Sequence, residues 1–374
     1  MKLKKMIPLL LALSVAVSAS ACGNNKREAA SDEKSIITDS EETTPNEESD
    51  EDSETSYQGS ETSVQESDPV EENIRCSDQN HKYAYDLEQF SPETLSELNS
   101  KLTSSYVVLY DSTEDKVLYS YNGEERCYPA STTKLLTAIT ACKIFTDPQT
   151  VITVGDEVYK IDPESSKAGL EPGMQLTFEM LMDAMLLPSG NDAAYVMAVS
   201  AGRKYKNDET LSAEMAIDAF MELENKIASN IGTTRTNYVT PDGIHSEDHF
   251  TNARDLAVIA DYARTIPLIK NSCAKPEAEW TFVTGESTWW KNTNYILDIE
   301  SMRYSPFCNG MKTGFTDQAG NSLIASATVE DHTLIAVMMN ARSALSRFDD
   351  CNFIFEKGFE LYGLEYTYNN KGNI

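Results

Sequence analysis

Ser131 and Lys134 stand three residues apart, at the start of a stretch with helical periodicity. Side chains at positions i and i+3 of a helix share a face, so the lysine amine can reach the serine hydroxyl. A serine hydroxyl is a poor nucleophile at neutral pH and needs an adjacent base, which a lysine can be only if its pKa falls. The spacing therefore predicts a serine nucleophile, Ser131, with Lys134 as its general base.

Two further polar motifs follow this pair in chain order. Ser189-Gly190-Asn191 lies between two helical patterns, and Lys312-Thr313-Gly314 lies at the end of an expected strand before a turn. A lone serine and lysine at this spacing occur by chance in a long chain, whereas three ordered motifs are far more specific. Burial beside Lys312 would lower the pKa of Lys134, because desolvation and a like charge both disfavour the ammonium form. Lys134 is the lysine that we expect to be neutral.

The residues around these motifs resemble the low-molecular-mass penicillin-binding proteins, specifically the serine D-Ala-D-Ala carboxypeptidases. The matching runs are residues 128–135, 187–194, 242–245, 253–257, 292–294 and 310–317. The resemblance covers about residues 95–360. It implies the fold shared by DD-peptidases and β-lactamases, and acyl transfer on peptidoglycan pentapeptide stems. It also implies covalent inhibition by β-lactam antibiotics.

The resemblance assigns a role to each motif residue. Ser131 would be the nucleophile, Lys134 the base and Ser189 the proton relay. Asn191 would bind the substrate amide, and Lys312 and Thr313, in the same motif as Gly314, would bind the substrate carboxylate. The backbone N–H groups of Ser131 and Phe315 would form the oxyanion hole. Water would then release the acyl-enzyme. The resemblance requires no cofactor.

Some residues have more than one interpretation. Arg347 is a candidate for binding the substrate carboxylate, or else a surface arginine at a helix start. His245 and His249 stand four residues apart with acidic residues between them, a spacing found in zinc sites. They lie, however, in a turn-rich stretch without a helical zinc motif. We therefore expect no metal.

Two rival functions fit parts of the pattern. A class A-like β-lactamase shares the fold and the first and third motifs, but it needs a glutamate to activate the deacylating water. Glu222 and Asn225 follow the second motif, yet they lie within a continuous helical pattern, and that motif reads Ser-Gly-Asn rather than Ser-Asp-Asn. A catalytically silent, tethered wall-binding or penicillin-sensing lipoprotein would keep the fold. Against it, every polar motif residue is present.

The N-terminus predicts export. Residues 1–21 combine a basic start, a short apolar stretch and small residues, as in a secretory signal peptide. Cys22 at this junction resembles the lipidated cysteine of bacterial lipoproteins, so we expect a lipid anchor to the membrane, with ordinary secretion as the alternative. Both place the protein outside the cytoplasm, where disulfides can form. For the remaining six cysteines, disulfides and free thiols both stay open.

Residues 22–85 predict a disordered acidic linker. Residues 28–73 contain 17 acidic residues and one lysine, a net charge of −16 out of −29 for the whole chain. This composition offers too little apolar surface to offset the entropy cost of ordering the backbone. The acidity thus belongs mainly to a solvated tether. No basic patch for nucleic acid is present.

Residues 86–362 have the patterning of one catalytic domain, and residues 363–374 form a short tail. Strand patterns lie near both ends, at residues 105–121 and 312–339, with helical patterns between them and a last helix over residues 345–361. Asp192 can cap the third of these helices, and a further strand pattern runs from Trp280 to Thr284. This order predicts an α/β (α+β) fold, an antiparallel β-sheet flanked by helices with an inserted helical lobe. Family members often carry a β-rich domain and an amphipathic helix after the catalytic region. We expect the lipid to replace that helix.

Overall fold

The computed structural model describes residues 84–85, 87 and 89–369. The predicted signal peptide, Cys22 and nearly all of the predicted linker lie outside the described residues. Its strands are β1 (Ala84–Tyr85), β2 (Tyr106–Asp111), β3 (Lys116–Tyr121), β4 (Val151–Thr153), β5 (Gln175–Thr177), β6 (Glu277–Thr281), β7 (Ser287–Lys291), β8 (Cys308–Thr316), β9 (Gly320–Val329) and β10 (His332–Ala341).

Helices fill the stretch between β3 and β6 and flank the sheet at both ends of the chain. They are α1 (Pro92–Lys101), α2 (Lys134–Ile144), α3 (Phe178–Leu186), α4 (Asn191–Lys206), α5 (Ala213–Asn230), α6 (Ala253–Thr265), α7 (Pro267–Ala274) and α8 (Ser346–Glu360). Short 3₁₀ helices cover Ala130–Thr133 and Asp156–Lys160. Within the described ranges, no helix combines the length and apolar composition needed to cross a membrane.

One six-stranded sheet joins the two ends of the described chain, in the order β1-β3-β2-β10-β9-β8. Every pair is antiparallel except the two-residue β1, which runs parallel to β3. The centre is the pairing of β2 with β10, which sets Val108 opposite Val337. Both faces of this pair are covered. The predicted sheet with an inserted helical lobe is confirmed, and β8 forms one edge of it.

Alternation along β10 divides the interior into two cores. Ile335, Val337 and Met339 face the helical lobe, whereas Leu334, Ala336 and Met338 face α8. Successive side chains of a strand point to opposite faces, so a strand buried on both sides is apolar throughout. The first core includes residues from α2 to α7, which fix the walls around Ser131 and Lys134.

Several local predictions differ from the structure. Asp192 does not cap α4, because Gly190 occupies the N-cap position and the Asp192 carboxylate accepts hydrogen bonds from the backbone of residues 168–170. The strand predicted from Trp280 begins earlier, at Glu277, since it pairs with β7 across a turn. Helix α1 was not predicted, although its Ser91 N-cap and Pro92 give the signal for a helix start.

The segment assigned above to a short tail packs on the domain. Tyr366 is 1% exposed, its ring stacks on Phe359, and its hydroxyl donates to Asn352 Oδ1 at 2.7 Å. Tyr368 is also buried in the α8 core, and the Asn369 N–H donates to the Tyr304 carbonyl. Residues 366–369 thus belong to the packed structure.

We expect Tyr366→Ala to reduce the free energy of unfolding by about 3–5 kcal/mol, because it removes a buried aromatic ring and leaves a cavity. Urea unfolding monitored by circular dichroism measures the change. Tyr159→Ala is the matched control, since that ring is 74% exposed and its loss should cost less than about 0.5 kcal/mol. Equal stability of the two variants would contradict this packing.

Candidate active site

A cleft of about 510 Å³ opens where the 3₁₀ helix, the α3–α4 loop and the edge strand β8 meet. It is lined by residues of all three sequence motifs, namely Ser131, Ser189, Asn191, Thr313 and Gly314. Lys134 and Lys312 lie beneath this lining, 0% and 1% exposed. The structure therefore brings the predicted motifs together around one cavity, with both lysines removed from solvent.

The 3₁₀ helix presents Ser131 next to Lys134. Ala130 has a positive φ of 49°, a conformation that costs energy for a residue with a side chain. The 3₁₀ turn leads directly into α2, whose first residue is Lys134. Lys134 Nζ lies 2.9 Å from Ser131 Oγ, the contact that the sequence spacing predicts.

The surroundings of Lys134 suit a neutral amine that accepts a proton. Its Nζ also lies 2.7 Å from Asn191 Oδ1 and 2.8 Å from the Asp242 carbonyl oxygen. These two oxygens can only accept, so they take both N–H groups of a neutral amine and leave its lone pair directed at the Ser131 hydroxyl. Burial lowers the pKa of Lys134 to about 8, although the charges of Asp242 and Asp192 oppose the shift.

The second motif supplies one of those acceptors. Ser189 has a positive φ of 64° and is 6% exposed, and Asn191 opens α4 immediately afterwards. The Asn191 N–H donates to the Ser166 carbonyl, and the Asp192 carboxylate binds the backbone N–H groups of Ala168 and Gly169. The loop at residues 166–169 is thereby fixed against the motif, a contact that the sequence did not indicate.

The third motif lies on β8, the edge strand of the sheet. A Cβ atom on Gly314 would lie 3.0 Å from the Pro129 carbonyl oxygen and 3.2 Å from the Ser131 backbone nitrogen. Glycine thus lets β8 approach the nucleophile turn closely. On the same strand, Thr313 Oγ1 lies 2.6 Å from Thr293 Oγ1, which adds Thr293 to the cleft.

Lys312 is buried beside the same site. Its Nζ donates to the Thr313 carbonyl at 3.1 Å. Burial lowers the pKa of Lys312 well below its ordinary value, and the charge of Lys134 lowers it further. Because the pKa values of both lysines fall, the neutrality of Lys134 in particular stays a prediction.

Phe315 and Arg347 complete the rim. Phe315 is 58% exposed on β8. Arg347, in the first turn of α8, donates from Nη1 to the Gly314 carbonyl at 3.0 Å and the Ser322 carbonyl at 3.2 Å. Burial lowers the pKa of Arg347 to about 10. Arg347 therefore begins a helix, as one interpretation had it, and also lines the cleft.

The zinc interpretation of His245 and His249 finds no supporting geometry. His249 Nδ1 accepts from the backbone N–H groups of Val239 and Thr240, and its Nε2 contacts Thr133 Oγ1. Both ring nitrogens are thus occupied. Among residues 84–85, 87 and 89–369, no three His, Cys, Asp or Glu side chains are grouped to hold a metal.

The glutamate considered for a β-lactamase lies away from the cleft. The side chain of Glu222 is 78% exposed and lies 3.9 Å from Lys206 Nζ. Asn225 instead binds the backbone of Tyr238 through both its amide oxygen and its amide nitrogen. Glu222 is therefore not placed to activate a water molecule at Ser131.

A family model for D-alanyl-D-alanine carboxypeptidases, peptidase S11, matches residues 92–343 of the chain. The D-alanyl-D-alanine carboxypeptidase DacF of Bacillus subtilis is 28% identical over 283 residues, which are 73% of this chain and 68% of that protein. DacA of Escherichia coli is 30% identical over 265 residues, 68% of this chain but 60% of the relative. The chain thus spans about two thirds of these relatives.

The chain is also similar to a solved enzyme structure. The Streptomyces K15 DD-transpeptidase is 25% identical and superposes with a TM-score of 0.63, covering 69% of this chain and 98% of that one. The match therefore takes in nearly the whole of that enzyme.

We expect the reactivity of Ser131 to rise with pH, to reach half of its maximum near pH 8 and to level off above about pH 9. With a pKa of about 8 for Lys134, the neutral amine is roughly a tenth of the population at pH 7 and half at pH 8. Rates of Ser131 modification by an aryl sulfonyl fluoride, followed by mass spectrometry, measure this profile. In Lys134→Met the rate should be lower and independent of pH. A flat profile in the unmodified protein would contradict the assignment of the base.

Proposed function

Because the chain belongs to the D-alanyl-D-alanine carboxypeptidase family of serine peptidases, we propose that it removes the terminal D-alanine from peptidoglycan stem peptides through an acyl-enzyme. One observation carries this proposal. Lys134 Nζ lies 2.9 Å from Ser131 Oγ and is buried, with two obligate acceptors for its N–H groups. This geometry activates a serine without a histidine.

Acylation begins when Ser131 Oγ attacks the carbonyl carbon of the penultimate D-alanine. The hydroxyl proton passes to Lys134 Nζ as the bond to oxygen forms. Ser189, buried across the same cleft, relays a proton to the departing amine, so that D-alanine leaves as a neutral amine rather than as an anion. The Asn191 side-chain amide binds Lys134 through its oxygen, which leaves its NH₂ group for the substrate backbone.

The terminal carboxylate of the substrate binds at the third motif. Lys312 supplies charge, and Thr313 supplies a hydroxyl held by Thr293 at 2.6 Å. Arg347, fixed to the Gly314 carbonyl, adds a second positive group at the same wall. A bound carboxylate favours the ammonium form of Lys312. That positive charge then disfavours a second one on Lys134, so substrate binding itself favours the neutral base.

The tetrahedral intermediate needs donors for its oxyanion. The backbone N–H groups of Ser131 and Phe315 fill this role. Because Gly314 approaches the Ser131 nitrogen closely, the backbone of β8 and the backbone of the nucleophile turn lie side by side. Loss of one such donor costs about 100- to 1000-fold in rate. Water then hydrolyses the ester and frees Ser131. β-Lactams acylate the same serine because their strained amide occupies the place of the scissile bond.

We expect Ser131→Ala to abolish both covalent labelling by a fluorescent penicillin and D-alanine release from diacetyl-Lys-D-Ala-D-Ala. Gel fluorescence and a D-amino acid oxidase assay measure the two activities. Glu222→Gln is the matched control and should retain both, because that side chain is remote and exposed. Failure of the unmodified protein to be labelled at Ser131 would favour a silent wall-binding protein. Rapid penicillin turnover without D-alanine release would favour a β-lactamase.

The family works on the cell wall, outside the cytoplasm. For this chain, the proposal extends to a lipid anchor at Cys22, supported by the apolar stretch and the small residues that precede it. The acidic segment after it would then act as a tether that self-repulsion keeps extended. Such an arrangement places the cleft at a distance from the membrane surface, toward the peptidoglycan.

We expect Cys22→Ser to move the protein from the membrane fraction to the soluble extracytoplasmic fraction, because the variant lacks the thiol that receives the lipid. Immunoblotting of fractions and metabolic labelling with an alkyne fatty acid measure anchoring and lipidation. Cys76→Ser is the control and should stay with the membranes. A Cys22→Ser protein that remained entirely membrane-bound would show that another feature anchors it.

A further inference from the structure

One backbone segment beside the cleft supplies an acceptor to the base. Residues 239–243, named here the carbonyl loop, present the Asp242 carbonyl oxygen 2.8 Å from Lys134 Nζ. The neutral amine needs this oxygen, because it occupies one N–H group and so directs the lone pair toward Ser131. A displacement of the carbonyl loop would leave the amine free to rotate away from the hydroxyl.

The carbonyl loop also touches the nucleophile turn directly. Gly243 has φ +86°, and a Cβ atom built on it would lie 1.9 Å from the Ala130 carbonyl oxygen. Since the two backbones are in contact, a shift of the loop would be felt at both Ser131 and Lys134. The position of residues 239–243 is thus coupled to the two reacting groups.

His249 joins the carbonyl loop to the nucleophile turn. The Val239 N–H and Thr240 N–H lie 3.0 and 3.3 Å from His249 Nδ1. Nδ1 must therefore carry a lone pair, so the ring proton is on Nε2. Nε2 lies 2.8 Å from Thr133 Oγ1 and donates to it, and that hydroxyl in turn donates to the Ala130 carbonyl at 2.8 Å.

The ring is held in place and stays neutral. His249 is 1% exposed and stacks on Tyr238 with ring centroids 4.6 Å apart and an interplanar angle of 6°. Burial lowers the pKa of His249 to about 3, and the charges of His245 and Lys134 act in the same direction. The imidazole therefore keeps its acceptor nitrogen wherever Lys134 can act as a base.

Helix α5 fixes the neighbouring points of the carbonyl loop. Asn225 binds the N–H and the carbonyl of Tyr238. Thr137, one turn after Lys134, lies 2.8 Å from the Pro241 carbonyl and 3.0 Å from Glu224 Oε1. Because the carbonyl can only accept, Thr137 donates to it and so ties the loop to α2. Burial raises the pKa of Glu224 well above its ordinary value.

We propose that His249 is a positioning residue for the lysine base. By binding the backbone of the carbonyl loop, His249 holds the Asp242 carbonyl against Lys134. The inference rests on the proposed serine–lysine mechanism. His249 does not touch the reacting atoms. Its Nδ1 accepts from the N–H groups of Val239 and Thr240. Its Nε2 donates to Thr133, in the turn that bears Ser131.

Two isosteric substitutions separate the functions of the two ring nitrogens. In His249→Asn, the asparagine Oδ1 replaces the histidine Nδ1 and still accepts from the N–H groups of the loop. In His249→Gln, the glutamine Nε2 replaces the histidine Nε2 as donor to Thr133, but the loop loses its acceptor. We expect acylation by a fluorescent penicillin to fall about 10- to 100-fold in His249→Gln, with kcat for the D-Ala-D-Ala peptide falling and KM little changed. His249→Asn should stay within about threefold of the unmodified protein.

The matched controls are His332→Asn and His332→Gln. His332 is likewise paired through Nε2, to Asp111 at 2.8 Å, but it lies at the start of β10, outside the cleft. Both control variants should keep full acylation. Equal acylation in His249→Asn and His249→Gln, or losses that follow only their melting temperatures, would overturn the proposal.

Two readouts keep this test separate from the proposed function and from the folding of the variants. Sulfonyl fluoride reactivity of Ser131 should show the same order of variants even if no D-alanine is released, in which case only the proposed substrate fails. In the unmodified protein, ¹⁵N NMR of His249 should show Nδ1 unprotonated and Nε2 protonated from about pH 6 to pH 9. The opposite tautomer, or a charged ring, would overturn the proposal without any variant.

Discussion

The removal of the Lys134 amine from water is the constraint on which the rest of the site depends. An ammonium group without water is unfavourable unless other groups replace its hydrogen bonds, and a neutral amine has only two N–H groups to satisfy. Here the replacements are neutral oxygens, from Asn191 and from the backbone of Asp242. A carboxylate at these positions would favour the charged form and so abolish the base. The site therefore combines full burial with uncharged acceptors.

The sheet provides the fixed frame for this arrangement. Strands β2 and β10 pair at its centre and are buried on both faces, so the first and last parts of the domain cannot move independently. The edge strand β8 lies on this frame and brings Lys312 and Gly314 to the nucleophile turn. Because the helical lobe packs on the opposite side of the cleft, the three motifs are held by separate elements of one packed unit. Catalytic geometry of this kind needs rigid support as well as the motif residues themselves.

Two lysines lie in one buried site, where their mutual repulsion disfavours a positive charge on both. Lys134 has three oxygen neighbours and Lys312 has a backbone carbonyl, while burial lowers the pKa of both. Whichever lysine gains an anionic partner becomes the charged one. Under the proposed function, a substrate carboxylate at the third motif would supply that partner for Lys312, and the same positive charge would then favour the neutral form of Lys134. The proposal thus couples substrate recognition to base activation through a single electrostatic interaction.

The sequence by itself determined the contacts that local geometry dictates. Ser131 and Lys134 meet because i and i+3 residues share a helix face, the continuous apolar run of β10 predicts a buried strand, and the order of strands and helices predicts the inserted lobe. The match of three motifs also identified the family. Only the tertiary structure showed what surrounds the amine: Asn191 and Asp242 reach Lys134 from 57 and 108 residues away, and Asp192 turned out to bind a distant loop rather than cap its own helix. His249, read from sequence as a possible metal ligand, proved to hold backbone N–H groups. The physical reason is that spacing along a chain fixes neighbours only within an element, whereas burial, acceptor geometry and pKa depend on which distant backbone folds against it.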